Sequence, residues 1–280
     1  MHFHLTHLIP VSRSLIVSAV LLALIISTGC GSSNWTASQR PTPPSVVDAA
    51  RAVAAGASVP LVLLFVGTGT SSGDVSAVKT ILGNLSLTYA TATSSQLNAM
   101  SESTLKTYKL FLMPGGNAMT ISQYLSSTTI TNLHNAIVND GLHYLGICAG
   151  GFFAGSSGVY HYLDLTPSGV WFNYYADEFK GLHKEALEIK GANGTTLDQY
   201  WQDGPALSGW GSVVGKYPDG TPAIVEGYSG KGWVILSGVH PEAPSSWRTG
   251  MTFTTSVAVD NAYAQTLVTD ALNAISLTHF

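Results

Sequence analysis

Three short apolar runs constrain this chain most. Pro60–Val66 (PLVLLFV), Tyr108–Met113 (YKLFLM) and His143–Ile147 (HYLGI) each have strand length, and each runs into small residues. A continuous apolar run, without polar alternation, marks a strand buried on both faces. Between the runs lie segments with helical spacing, Asp74–Leu82 and Ile130–Val138. Asp74 is the expected N-cap of the first. Leu85–Ala90 is a further strand candidate, and Ala149 opens another helix. Strands alternating with helices predict an α/β fold: a mostly parallel central sheet with helices on both faces. From Gly158 to Gly238 the pattern changes to short, aromatic, glycine-punctuated strands, the last of them Gly232–Leu236. Extra β-strands are therefore expected in the C-terminal half, and Asn261–Leu277 reads as a closing helix.

The N-terminus has a different character. Arg13 precedes an uncharged apolar run, Leu15–Ile26, followed by Ser27-Thr28-Gly29-Cys30. Such a run falls short of the roughly 20 apolar residues that span a bilayer. It reads as the hydrophobic part of a signal peptide, with a membrane-spanning anchor as the alternative. Cys30 after small residues resembles the lipobox of bacterial lipoproteins, although Ser27 stands where that motif usually has Leu. The resemblance implies cleavage before Cys30, a lipid on its thiol, and attachment to the cell envelope membrane. Residues 1–29 are then a signal peptide and 30–58 a Ser/Pro-rich tether. A single domain fills 59–280, long enough for a sizeable core. With 45% hydrophobic and 10% charged residues and a formal net charge of −4, nothing in the chain suits nucleic acid.

Only two cysteines occur. If Cys30 carries lipid, Cys148 is a lone thiol in an exported protein and needs a reason. A small buried hydrophobe is one such reason. Gly146-Ile147-Cys148-Ala149-Gly150 offers another, because it has the G-x-nucleophile-x-G form of a nucleophile elbow. There the chain turns sharply from strand to helix, the flanking residues must be small, and the helix N-terminus favours a thiolate. A base is available at His240, and Glu242, two residues on in extended chain, can orient it. The alternative is a loop histidine beside an unrelated glutamate. Met113-Pro114-Gly115-Gly116-Asn117 follows the third apolar run. Its Gly116 N–H and that of Ala149 are candidates for an oxyanion hole, with Gly115 beside them, or the stretch is a plain turn. Gly67–Gly73 lacks the spacing of a dinucleotide loop and is expected at a pocket edge. The remaining histidines lack ligand spacing, so no metal and no cofactor is expected.

P-G-G, then G-I-C-A-G-G-F-F-A, then S-G-V-H-P-E together resemble the class I glutamine amidotransferase-like superfamily. Within it the chain is most similar to the domain at the N-terminus of some biotin–protein ligases. The resemblance implies a flavodoxin-like three-layer sandwich over about 59–280, a Cys148–His240–Glu242 triad, and Gly116 near the oxyanion site. Two departures bear on activity. Phe152 stands where glutamine-using members usually carry Gln, and the length leaves no room for a synthetase or biotin ligase catalytic domain. The expectation is thus a tethered cysteine hydrolase acting on a small amide or peptide. The competing one is a non-enzymatic binding protein using the aromatic group Trp171, Phe172, Tyr174, Tyr175, Tyr200 and Trp201.

Overall fold

A computed structural model describes residues 60–167, 169–176 and 183–280. The segments expected to be signal peptide and tether, with Cys30, lie outside the described residues. All of the described residues belong to the second of the chain's two compact units, 44–280.

The strands are β1 (Val62–Phe65), β2 (Tyr89–Ala92), β3 (Leu110–Met113), β4 (His143–Ile147), β5 (Asn173–Tyr174), β6 (Lys184–Gly191), β7 (Thr196–Gln202), β8 (Pro205–Ala206), β9 (Ser212–Lys216), β10 (Pro222–Ser229) and β11 (Gly232–Ser237). The helices are α1 (Ser72–Asn84), α2 (Ser94–Asn98), α3 (Glu102–Leu105), α4 (Ala118–Tyr124), α5 (Ser127–Val138), α6 (Ala149–Ala154) and α7 (Val257–Asn273). A short 3₁₀ turn spans Ser245–Arg248.

Nine strands form one sheet in the order β2-β1-β3-β4-β11-β10-β9-β6-β7. The first five are mutually parallel, and the rest pair antiparallel. The parallel part has the 2-1-3-4-5 order of flavodoxin-like sheets. Its strands are apolar throughout because each feeds two cores. From β1, Leu63 and Phe65 join one buried cluster while Val62 and Leu64 join the other. In β3, Phe111 and Met113 face the first and Leu110 and Leu112 the second. Helices α4 and α5 cover one face through Ile121, Leu133 and Ile137. Helices α1 and α7 cover the other through Val78, Ile81, Leu267 and Val268. Burying each such side chain contributes about 1.5–3 kcal/mol, so both faces hold the sheet.

The antiparallel half then curls back. Strand β7 is the last in the order, yet Tyr200 bridges His240, which lies just past β11. The His240 N–H donates to the Tyr200 carbonyl at 2.8 Å. This closure brings residues of β6 and β7 to the carboxyl ends of the parallel strands.

Two local expectations are corrected. Ser71, not Asp74, caps α1, its hydroxyl accepting from the Asp74 N–H at 3.3 Å. The second strand begins at Tyr89 rather than Leu85, because Leu85 ends α1 and Ser86 takes a positive φ of 53°.

Candidate functional site

In doubly wound sheets ligands settle at the carboxyl ends of the strands, where the order switches direction. Here the loops after β1, β3 and β4 meet at that edge, around a pocket of about 370 Å³. Its wall includes Ser71 and Gly73, Gly116, Cys148, Tyr200, His240 and Trp247.

Cys148 sits between β4 and α6 with φ 50° and ψ −103°, a conformation that side-chain-bearing residues rarely adopt. Its N–H donates to the Ser237 carbonyl at 2.7 Å, and its carbonyl accepts from Gly151 and Phe152. The flanking glycines are required by close approach. A Cβ on Gly150 would press into the carbonyl of Met113 at the end of β3, and one on Gly146 would press into the backbone of Gly150. The Tyr144 hydroxyl donates to the Gly150 carbonyl at 2.7 Å and fixes the turn from below. The thiol itself donates to the Gln202 carbonyl at 3.7 Å.

His240 is buried, and its Nδ1 lies 2.9 Å from Glu242 Oε1. Asp74 was expected to be a cap, yet its Oδ1 lies 3.0 Å from the same Nδ1. Burial opposes charge on the imidazole, but Asp74 and Glu242 outweigh it and hold His240 well above its ordinary pKa of 6.5. Burial pushes the Asp74 carboxyl up, but the neighbouring His240 outweighs that and keeps it below its usual value. Glu242 is more enclosed, and burial keeps its carboxyl above the usual value despite His240. The rings of Tyr200 and Trp247 stand edge-on to the imidazole, each with a centroid separation of 5.7 Å.

Gly116, at φ +150°, is pinned against the loop after β1 by two hydrogen bonds. These run from the Asn117 N–H to the Gly69 carbonyl and from the Ser71 N–H to the Gly115 carbonyl. Among the described residues, neither the Gly116 N–H nor the Ala149 N–H has a backbone acceptor. Gly115 is wedged against Asp74 and His240, where a Cβ would come within 2.7 Å of the imidazole. The structure therefore brings Cys148, His240, Glu242, Gly115, Gly116 and Ala149 into one region. The aromatic group does not assemble in the same way. Only Tyr200 lines the pocket, while Phe172 and Trp201 belong to opposite cores, Trp171 stacks on Tyr162, and Tyr175 stacks on Tyr217. Phe152 packs on Tyr174 at 4.7 Å.

Asp74 and Trp247 were missed as site residues. Asp74 follows the glycine-rich loop after β1, so its place at a strand's carboxyl end was the available signal. Trp247 rides the 3₁₀ turn fixed by Arg248, whose guanidinium pairs with buried Asp260 and donates to the Thr255 carbonyl. No sequence pattern announces that anchor. Asp74, His240 and Glu242 offer ligand-type atoms within 4.8 Å of one another, the one such group among the described residues. A histidine with two carboxylate partners accounts for that closeness.

A flavodoxin-ordered sheet with a cysteine in a strand-to-helix turn at its carboxyl edge defines a doubly wound α/β protein. Residues 61–167 are similar to the family "Biotin-protein ligase, N terminal". A glutamine amidotransferase from Thermotoga maritima aligns at 12% identity over 76% of this chain and 99% of its own, with a TM-score of 0.52. A cytoplasmic protein from Salmonella typhimurium aligns at 12% identity over 74% of this chain and 98% of its own, TM-score 0.47. An exo-β-1,4-mannosidase from Opitutaceae bacterium strain TAV5 is 16% identical, TM-score 0.42; the match covers 76% of this chain and 37% of the mannosidase. No curated protein matches the chain. The likeness to the Thermotoga maritima structure speaks for the fold alone.

Proposed function

We propose that the protein is a cysteine-dependent hydrolase of C–N bonds, acting on a small amide or peptide while tethered outside the cytoplasm through lipidated Cys30. The observation that carries the hydrolase reading is Cys148 in a strained elbow conformation at the pocket, with His240 and its carboxylate beside it. In this reading Cys148 loses its proton to His240, and the thiolate attacks the amide carbonyl. The Gly116 and Ala149 amides hold the oxyanion. The C–N bond then breaks as His240 returns the proton to the leaving amine. Water, deprotonated by His240, releases the acid from the thioester. Glu242 orients the imidazole throughout.

A second reading is a binding protein that keeps this pocket without chemistry. One contact favours it: the thiol spends its proton on the Gln202 carbonyl, as a passive thiol would. Incubating the protein with a library of short peptides and amino-acid amides, with Cys148→Ala as the control, separates the two. Cys148-dependent release of amine or ammonia supports the hydrolase. Binding without turnover, equal in both proteins, supports the binding protein.

A further inference from the structure

We propose that Asp74 is a second acidic partner of His240, a positioning residue that acts on Cys148 chemistry only through the imidazole. The inference deepens the hydrolase reading and rests on it.

Two carboxylates lie at hydrogen-bonding distance from one ring nitrogen, Glu242 at 2.9 Å and Asp74 at 3.0 Å. Nδ1 carries one hydrogen, and the Glu242 contact has hydrogen-bond geometry. Asp74 Oδ1 is consequently left without a hydrogen bond although it is buried. A buried carboxylate oxygen with no donor is costly unless a charge compensates it. The cation within reach is His240 in its protonated form. The backbone shows that the approach is built in. Gly115 has no side chain where a Cβ would collide with Asp74 Oδ1 on one side and the imidazole on the other. Any other residue there would wedge the two apart. The Ser71 cap and the first turn of α1 set the Asp74 backbone, so the carboxylate is delivered by a rigid element.

The two acids sit differently. Asp74 lines the pocket, whereas Glu242 lies beneath it, among Val78, Leu145, Ile147 and Leu267. Other groups facing His240 are the Cys148 thiol from the elbow and the Tyr200 phenol from β7. Lys184 of β6 lies at the same pocket, and Asp203, just beyond β7 and 3.8 Å from His183, acts on Tyr200. Of these, the two carboxylates touch Nδ1. Together they hold the proton on His240 that a leaving amine needs, and they delay its loss. They thereby favour the thiolate–imidazolium pair that attacks; once that proton has left with the amine, the neutral imidazole takes one from water.

The test is an NMR titration of the His240 ring nitrogens in the full chain, with His240→Ala to identify the signal and a chelator present throughout. Wild type should stay protonated well above pH 6.5. Asp74→Asn should lower the midpoint by about one unit, a tenfold change in the protonation constant, because an opposite charge at this distance shifts a titration by about one to three units. Glu242→Gln should lower it comparably, and the double variant further than either. If Asp74→Asn does not fold, Glu242→Gln alone decides. With Asp74 as sole partner the midpoint must remain above that of an ordinary histidine. An Asp74→Asn midpoint equal to wild type, or a Glu242→Gln midpoint at or below 6.5, overturns the proposal. The readout needs no turnover. A passive Cys148 together with the raised His240 midpoints expected above would therefore sink the hydrolase and spare the two-acid arrangement.

Discussion

Replacing Gly150 with Ala adds one carbon at the tightest point of the elbow. That carbon would press into the Met113 carbonyl oxygen and lie 3.0 Å from Met113 Cβ. The obstacle is backbone at the end of β3, so no rotamer change relieves it. Forcing a group into a packed interior costs about 1–3 kcal/mol. For a domain of this size, each kcal/mol is worth about 2–4 °C in Tm, so Gly150→Ala should melt about 2–12 °C below wild type. Displacing Met113 also drags Gly115 and Gly116, so the rate at which iodoacetamide modifies Cys148 should change too. Gly150→Val adds two further methyl groups and should abolish folding or the thiol's reactivity. Gly83→Ala is the matched control. It lies inside α1 with nothing within 4 Å of the new carbon. Its helix propensity should raise stability by up to about 1 kcal/mol. Circular dichroism melts of the three alanine and valine variants, with timed alkylation of Cys148, form the assay. A Gly150→Ala protein that melts with wild type and alkylates at the wild-type rate would refute the argument from close approach.

Arg248→Met should cost about 3–5 kcal/mol, because Asp260 is fully buried and would keep an unpaired charge; a chemical denaturation midpoint reads this directly. The raised pKa of His240 gives a pH dependence of stability of fixed sign. The folded protein holds a proton that the unfolded chain releases near 6.5, so the contribution is complete below that pH and declines as pH rises through the folded value. Tm should fall as pH climbs above about 6.5, and the His240→Ala protein should lack that component of the slope. Cys30→Ser should abolish labelling by a lipid precursor and leave uncleaved chain; labelling that persists would remove the tether from the account.

The parallel half was legible because each of its strands lies between two cores, which makes the run apolar at every position. The elbow was legible for a similar reason, since a sharp turn demands glycine two residues to either side of Cys148. What escaped was set by contacts distant in sequence. Leu85 and Leu87 look like strand residues but follow the end of α1, and the positive φ at Ser86 delays the strand. Asp74 looks like a cap, and Ser71, three residues earlier, takes that role. The fold of β7 back onto His240 is a single backbone bridge between Tyr200 and His240, with no local signature. The aromatic cluster read as one platform is split by sheet geometry, because Tyr200 and Trp201 point to opposite sides of β7.

The central claim is that His240 activates Cys148, and the pH profile of Cys148 alkylation by iodoacetamide tests it most directly. The account predicts that His240→Ala moves the profile to higher pH. Glu242→Gln should move it the same way by less, since it leaves Asp74 beside the imidazole. Profiles of wild type and His240→Ala that superimpose across the whole range would contradict the account and leave Cys148 a structural thiol.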